Sequence, residues 1–217
     1  MLQEILKDKK LRRLKNMNLY IMRHGLTRMN KEKKLNGQID EDILEEGIVD
    51  AEEARKIVKE LPIDIIYCSP LLRAKHTCEI VNVNNVPVIY DKRLMELYKG
   101  SLEGVYHKPE YSLFKEPLEK LKKYNVESKY HFFNRVKEFY DEILSLYDDK
   151  NILIVSHSGT IKMSMFYFNP PTVNINDVWY SINVKNCECY KFENVTISNV
   201  NPIITKYEVD KVKYPNI

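Results

Sequence analysis

Two hydrophobic rhythms alternate along the chain. Short, mostly apolar runs at 18–22 (NLYIM), 63–68 (IDIIYC), 86–90 (VPVIY) and 151–155 (NILIV) have the length and side-chain type of buried strands. Residues 44–61 instead place Leu44, Ile48, Ala51, Ala54, Ile57, Val58 and Leu61 at helical spacing. Residues 129–147 do the same with Phe132, Val136, Phe139, Tyr140, Ile143 and Leu146. Residues 71–81, entered through Ser69-Pro70, and residues 160–168 complete the predicted helices. Strands alternating with helices predict an α/β fold, a three-layer sandwich whose central sheet is mainly parallel with helices on both faces. Further strands are expected at 187–192 and 203–209, antiparallel at one edge.

Composition narrows the partners more than the fold. A chain of 217 residues, 44% hydrophobic and 30% charged, has ample length for a sizeable core. The formal charge of +3 is uneven: residues 1–16 carry +4, so the remainder is −1. A nearly neutral body argues against nucleic acid as the partner of the fold. Residues 1–16 therefore stand as a basic N-terminal extension and 17–217 as a single domain. The extension lacks the apolar core of a secretion signal, and no run of 18 apolar residues occurs, so a cytoplasmic protein with no membrane partner is expected. Cys68, Cys78, Cys187 and Cys189 have no zinc or redox spacing and read as buried reduced thiols. The oligomeric state is not legible.

Chemistry gathers at the exits of three predicted strands. Arg23-His24-Gly25 follows the first, Ser69-Pro70-Leu71-Leu72-Arg73 the second, and His157-Ser158-Gly159 the fourth. In a parallel sheet the carboxyl ends share one edge, and ligands bind in the crevice there. Two imidazoles and two guanidiniums would meet beside glycine-containing turns, a combination suited to a phosphoryl group. Any one of these residues alone is more often structural, and His76, His107 and His131 are read that way. Three motifs at equivalent positions shift the balance for the rest.

These residues resemble a known family. "RHGLTRMN" is similar to the R-H-G-x-T-x-x-N signature of the histidine phosphatase superfamily, the phosphoglycerate mutase-like proteins. The likeness continues through Gly37-Gln38, Leu44 to Gly47, "SPLLRAKHT" at 69–77, "RLMELYKGSLEG" at 93–104 and "VSHSGT" at 155–160, in the family's order. It implies a phosphoglycerate mutase-like fold and a phosphohistidine route. His24 would be the nucleophile, while Arg23, Arg73 and His157 hold the non-bridging oxygens. Thr27, Asn30, Gly37, Gln38 and Ser158 would join the phosphate- and substrate-binding set. Glu96 matches the family's acid, with Glu103 as an alternative. No metal and no cofactor are expected, because cationic side chains supply the positive field.

The reaction expected is hydrolysis of a small phosphorylated metabolite. Cofactor-dependent mutases carry Arg and His just after the acid, where this chain has Leu97 and Tyr98 in "ELYKG". Leu26, Met95 and Ser158 also depart from the family's usual residues, which leaves substrate identity open. Residues 105–126, aromatic and Lys-rich, are expected to form a substrate lid, with Tyr106, Lys108, Tyr111 and Lys115 available to it. Two rivals stand beside the phosphatase: a phosphoglycerate mutase, and a non-catalytic protein that binds phospho-ligands. A nucleophile elbow around Ser158 is excluded, since no histidine follows His157 to complete a triad.

Overall fold

The computed structural model describes residues 17–108, 121–168, 174–195 and 203–207. The expected N-terminal extension, residues 109–120 of the expected lid and residues 208–209 of the expected last strand lie outside the described residues.

Six strands form one sheet: β1 (Met17–Arg23), β2 (Ile65–Cys68), β3 (Val88–Tyr90), β4 (Asn151–Ser156), β5 (Cys189–Val195) and β6 (Ile203–Tyr207), in the order β3-β2-β4-β1-β5-β6. The first four are parallel, while β5 and β6 run antiparallel beside β1. The sheet is therefore mixed, with its antiparallel part at one edge as expected.

The α-helices are α1 (Arg28–Lys31), α2 (Glu45–Lys59), α3 (Leu72–Val81), α4 (Lys129–Leu146), α5 (Ser158–Tyr167) and α6 (Ile175–Ser181), with short 3-10 turns at Lys92–Leu94 and Gly100–Leu102. Side chains alternate across each strand, so one sheet builds two cores. Tyr20, Met22, Ile66, Leu153 and Val155 pack under α2 and α3 with Ala51, Ala54, Ala74 and Val81. Leu19, Ile21, Ile152, Ile154 and Phe192 face the other way, against Phe132, Val136, Phe139, Ile143 and Ile161 of α4 and α5. Each large apolar side chain so buried stabilises the fold by about 1.5–3 kcal/mol. The three-layer arrangement follows.

Three local differences from the sequence pattern have physical causes. Leu146 ends α4 and is exposed, while Leu144 and Tyr147 cover that turn. The Tyr147 hydroxyl lies 3.0 Å from that of Tyr67. The strand expected from Cys187 begins only at Cys189, because Cys187 adopts a left-handed φ of 59°. Helix α6 had no counterpart in the sequence reading: its seven residues are too short to display a periodicity.

Candidate active site

Register alone brings the three motifs together. Arg23 pairs with Ser156 across β1 and β4, and Cys68 pairs with Val155 across β2 and β4. The next residue of each strand is His24, His157 or Ser69, so all three stand side by side at one edge. The ladder extends into them, with His24 N donating to Ser156 O (2.9 Å) and Ser69 N to Val155 O (3.0 Å). Because β4 enters between β1 and β2, this is the switch point of the parallel sheet.

The two imidazoles have ring centroids 5.1 Å apart and are both buried. Nδ1 of His24 lies 2.7 Å from the carbonyl of Gly25, which can only accept, so Nδ1 carries the proton. Nε2 then holds the lone pair. Gly25 can approach so closely because a Cβ there would sit 2.7 Å from the carbonyl oxygen of Gly47. Nε2 of His157 lies 2.7 Å from the Ser69 hydroxyl, which itself accepts from Leu71 N (3.4 Å). Where that hydroxyl donates to Nε2, Nδ1 of His157 carries the proton and is a donor. Burial pushes both imidazoles well below their ordinary pKa, and Arg73 and Arg23 push the same way, so both are neutral at pH 7.

The guanidiniums are anchored by backbone. Arg73, at the start of α3, is fully buried and donates through Nη1 to Ile39 O (2.8 Å) and through Nη2 to Gly37 O (2.7 Å). Burial lowers it to about 10, with Glu96, Glu41 and Asp40 opposing, and it remains a cation at neutral pH. Arg23 donates from Nη1 to Val184 O (2.6 Å). Nε of Arg23, Nε of Arg73 and Nδ1 of His157 are buried without a hydrogen-bond partner among the described residues. Buried donors are almost always paired, so these three mark a place for an anion.

Glu96 faces the same edge from the loop after β3. Its Oε2 accepts from Gly159 N (3.1 Å), at the start of α5, and its Oε1 from Leu97 N (2.8 Å). A Cβ on residue 159 would lie 2.1 Å from Glu96 Oε1, so glycine lets the carboxyl sit where it does. Arg135 of α4 fixes the loop, donating to the carbonyls of Arg93, Met95 and Glu96 at 2.7–3.0 Å while Glu127 holds its other side. Glu103, the alternative acid, accepts from Gln38 N (2.7 Å) and Lys99 N (3.0 Å) and braces two loops.

The same construction appears among known proteins. Residues 19–196 match the family described as the histidine phosphatase superfamily (branch 1). The chain belongs to that superfamily. It is 29% identical over 155 residues to the adenosylcobalamin/alpha-ribazole phosphatase of Salmonella typhimurium, covering 68% of this chain and 77% of that one. It is 27% identical over 174 residues to phosphoserine phosphatase 1 of Hydrogenobacter thermophilus, covering 75% and 80%. Among solved structures, Bacillus stearothermophilus YhfR superposes with a TM-score of 0.71 at 25% identity, over 81% of this chain and 90% of that one.

Within this superfamily member, the remaining expected residues sit around the cradle with varied partners. Thr27 caps α1, its hydroxyl accepting from Asn30 N (3.3 Å) and Asn36 Nδ2 (3.1 Å). Gly37 lends its carbonyl to Arg73, and Gln38 donates from Nε2 to Glu96 O (2.9 Å). Ser158 opens α5 beside His157. Sequence reasoning missed Ser69 as the partner of His157, and it missed Asn186. The Asn186 amide lies 3.0 Å from His24 O, 3.1 Å from Gly25 O and 3.2 Å from Asn30 Oδ1, clamping the Arg23-His24-Gly25 turn. No sequence signal marks Asn186: the left-handed φ of Cys187 beside it is a backbone feature with no mark in composition.

Proposed function

We propose that this phosphoric monoester hydrolase works through a phosphohistidine on Nε2 of His24. His24 attacks phosphorus, the P–O bond to the leaving group breaks, and the Glu96 carboxyl gives its proton to the departing oxygen. Water then attacks the phosphohistidine while the Glu96 carboxylate takes its proton, the P–N bond breaks and phosphate leaves. Arg23, Arg73 and Nδ1–H of His157 hold the three equatorial oxygens through the in-line transition state. The observation that carries this reading is the Nδ1–H bond from His24 to Gly25 O. It leaves a neutral nucleophile aimed away from the backbone, among buried donors that lack partners.

The substrate is a small phosphorylated metabolite, in keeping with the names of the relatives. Residues 105–126 are assigned as its lid on their aromatic and Lys-rich sequence. The compartment is the cytoplasm, where four buried free cysteines stay reduced.

Turnover of p-nitrophenyl phosphate in EDTA tests the route. Activity should persist with the chelator and fall on the order of 10⁴-fold or more in His24→Ala. Loss with EDTA, or survival in His24→Ala, would remove the metal-free phosphohistidine. Bisphosphoglycerate-dependent interconversion of phosphoglycerates would make the protein a mutase instead. A protein that binds phosphate but cleaves no phosphomonoester would be a sensor.

A further inference from the structure

The turn that carries the nucleophile is held in two different ways. Arg23 donates its backbone N–H to Glu188 O (3.1 Å) and accepts from Cys187 N (3.1 Å), while His24 N donates to Ser156 O (2.9 Å). These are main-chain bonds, open to many sequences. Gly25 is different, because side chains hold both of its backbone groups. Its N–H donates to the Thr77 hydroxyl at 2.9 Å, and that hydroxyl gives its own proton to Arg73 O at 2.6 Å. Its carbonyl lies 3.1 Å from Nδ2 of Asn186, which also reaches His24 O at 3.0 Å. Carbonyl oxygens only accept, so it is the amide nitrogen of Asn186 that faces the turn.

Gly25 is the residue with most to lose without these bonds. It has no Cβ, so its torsions are the least restricted of any residue in the turn. Its carbonyl is also the acceptor for Nδ1–H of His24, at 2.7 Å. In a neutral imidazole, the bond made by one nitrogen decides where the proton resides. Rotation of the peptide after Gly25 would withdraw the acceptor and free the proton to move to Nε2, where it blocks attack on phosphorus. Thr77 is fully buried and stands one helical turn after Arg73 on α3. One helix thus serves the phosphoryl oxygens through Arg73 and the nucleophile through Thr77. Asn186 precedes Cys187, whose left-handed φ of 59° is rare for a residue with a side chain. The fold accepts that strain beside the residue that caps the turn.

We propose that Thr77 and Asn186 are positioning residues for the nucleophile: from two separate segments they lock the peptides on either side of Gly25, and through its carbonyl they keep the His24 proton on Nδ1 and the Nε2 lone pair free. Both act through Gly25. The catalytic consequence rests on the phosphohistidine reading, whereas the position of the proton does not.

Nitrogen NMR of the protein carrying isotope-labelled histidine reads that position directly, the His24 signals being those that vanish in His24→Gln. Above about pH 7 the wild type should show His24 protonated on Nδ1 alone. Thr77→Val keeps the side-chain shape and removes the acceptor, and Asn186→Leu likewise removes the donor. Each should give His24 a second population protonated on Nε2. Thr77→Ser, which keeps the hydroxyl, should restore the single form. The kcat for p-nitrophenyl phosphate should fall about tenfold in Thr77→Val and in Asn186→Leu, the worth of one orienting hydrogen bond. Inhibition by inorganic phosphate, which the guanidiniums govern, should change by less than about twofold. Retention of the single Nδ1–H form in both variants would overturn the clamp, whatever the rates. So would a mixed His24 with unchanged kcat, or a loss of phosphate affinity equal to the loss in kcat, which would make the two residues braces of the whole cradle. Should Thr77→Val fail to fold, Asn186→Leu, at a half-buried position outside the helices, decides alone. If p-nitrophenyl phosphate resists the wild type, or His24→Ala still hydrolyses it, the phosphohistidine reading falls, and the ring spectra still decide the clamp.

Discussion

The cradle around His24 and the wall around Glu96 face one another across a single site but are built differently. In the cradle, β1, β2 and β4 set positions by register, and backbone carbonyls of Gly25, Val184, Gly37 and Ile39 orient the side chains. The distant side chains it draws on are Ser69, Asn186 and Thr77, whose hydroxyl accepts from Gly25 N (2.9 Å). The wall has no strand of its own. Glu96 is placed by α5 through Gly159, by α4 through Arg135 and by a loop through Gln38. A scaffold fixed by the sheet suits the step common to all phosphomonoesters. A wall assembled from loops and helix ends can vary, and it is the side that meets the part of the substrate that varies.

That division can be broken most forcefully at the acid. Glu96→Gln should lower kcat for glycerol 3-phosphate by about 10²–10⁴-fold, because an alkoxide cannot leave without a proton. With p-nitrophenyl phosphate the same variant should release a burst of p-nitrophenol and then slow. The phenolate leaves unaided, while the phosphohistidine waits for a base. Stopped-flow absorbance checks this, and a burst in Glu103→Gln instead would move the role to that residue. Gly159→Ala is a gentler cut at the same wall. Its Cβ would lie 2.1 Å from Glu96 Oε1, so the carboxyl must swing away. A displacement of this size should cost about 10²-fold in kcat on alkyl esters. The affinity for vanadate, which the cradle governs, should hardly change.

The same division decides what was legible in the sequence. Arg23, His24, Arg73 and His157 each follow or closely trail a strand whose apolar run is easy to see, so their meeting could be deduced from topology. Glu96 was assigned through its likeness to a family, since nothing in "KRLMELYK" distinguishes it from a surface glutamate. Helix α5 gives no clear polar face in the sequence, because Ile161, Met163, Ser164 and Met165 are all buried. Pairings such as Ser69 with His157, 88 residues apart, follow from strand order, which alternating hydrophobicity cannot reveal.

The smallest expected effect concerns stability, and it isolates the cradle from the wall. His24 and His157 are held neutral in the folded protein, with pKa values well below the ordinary imidazole value. In the unfolded chain each returns to about 6.5. Between the depressed folded values and about 6.5 the unfolded chain binds more protons, so stability rises with pH and is lost as pH falls through that window. Above about pH 7 both states are neutral and this contribution is flat. Thermal melts between pH 7.5 and 5.5 should therefore show a falling Tm in the wild type and a shallower fall in the His24→Gln/His157→Gln variant. His76, His107 and His131 are common to both proteins and cancel in the difference, as do the acidic residues. Parallel melting curves would mean that the two inner imidazoles can take up protons in the folded state as readily as in the unfolded one, and the neutral nucleophile would lose its physical basis.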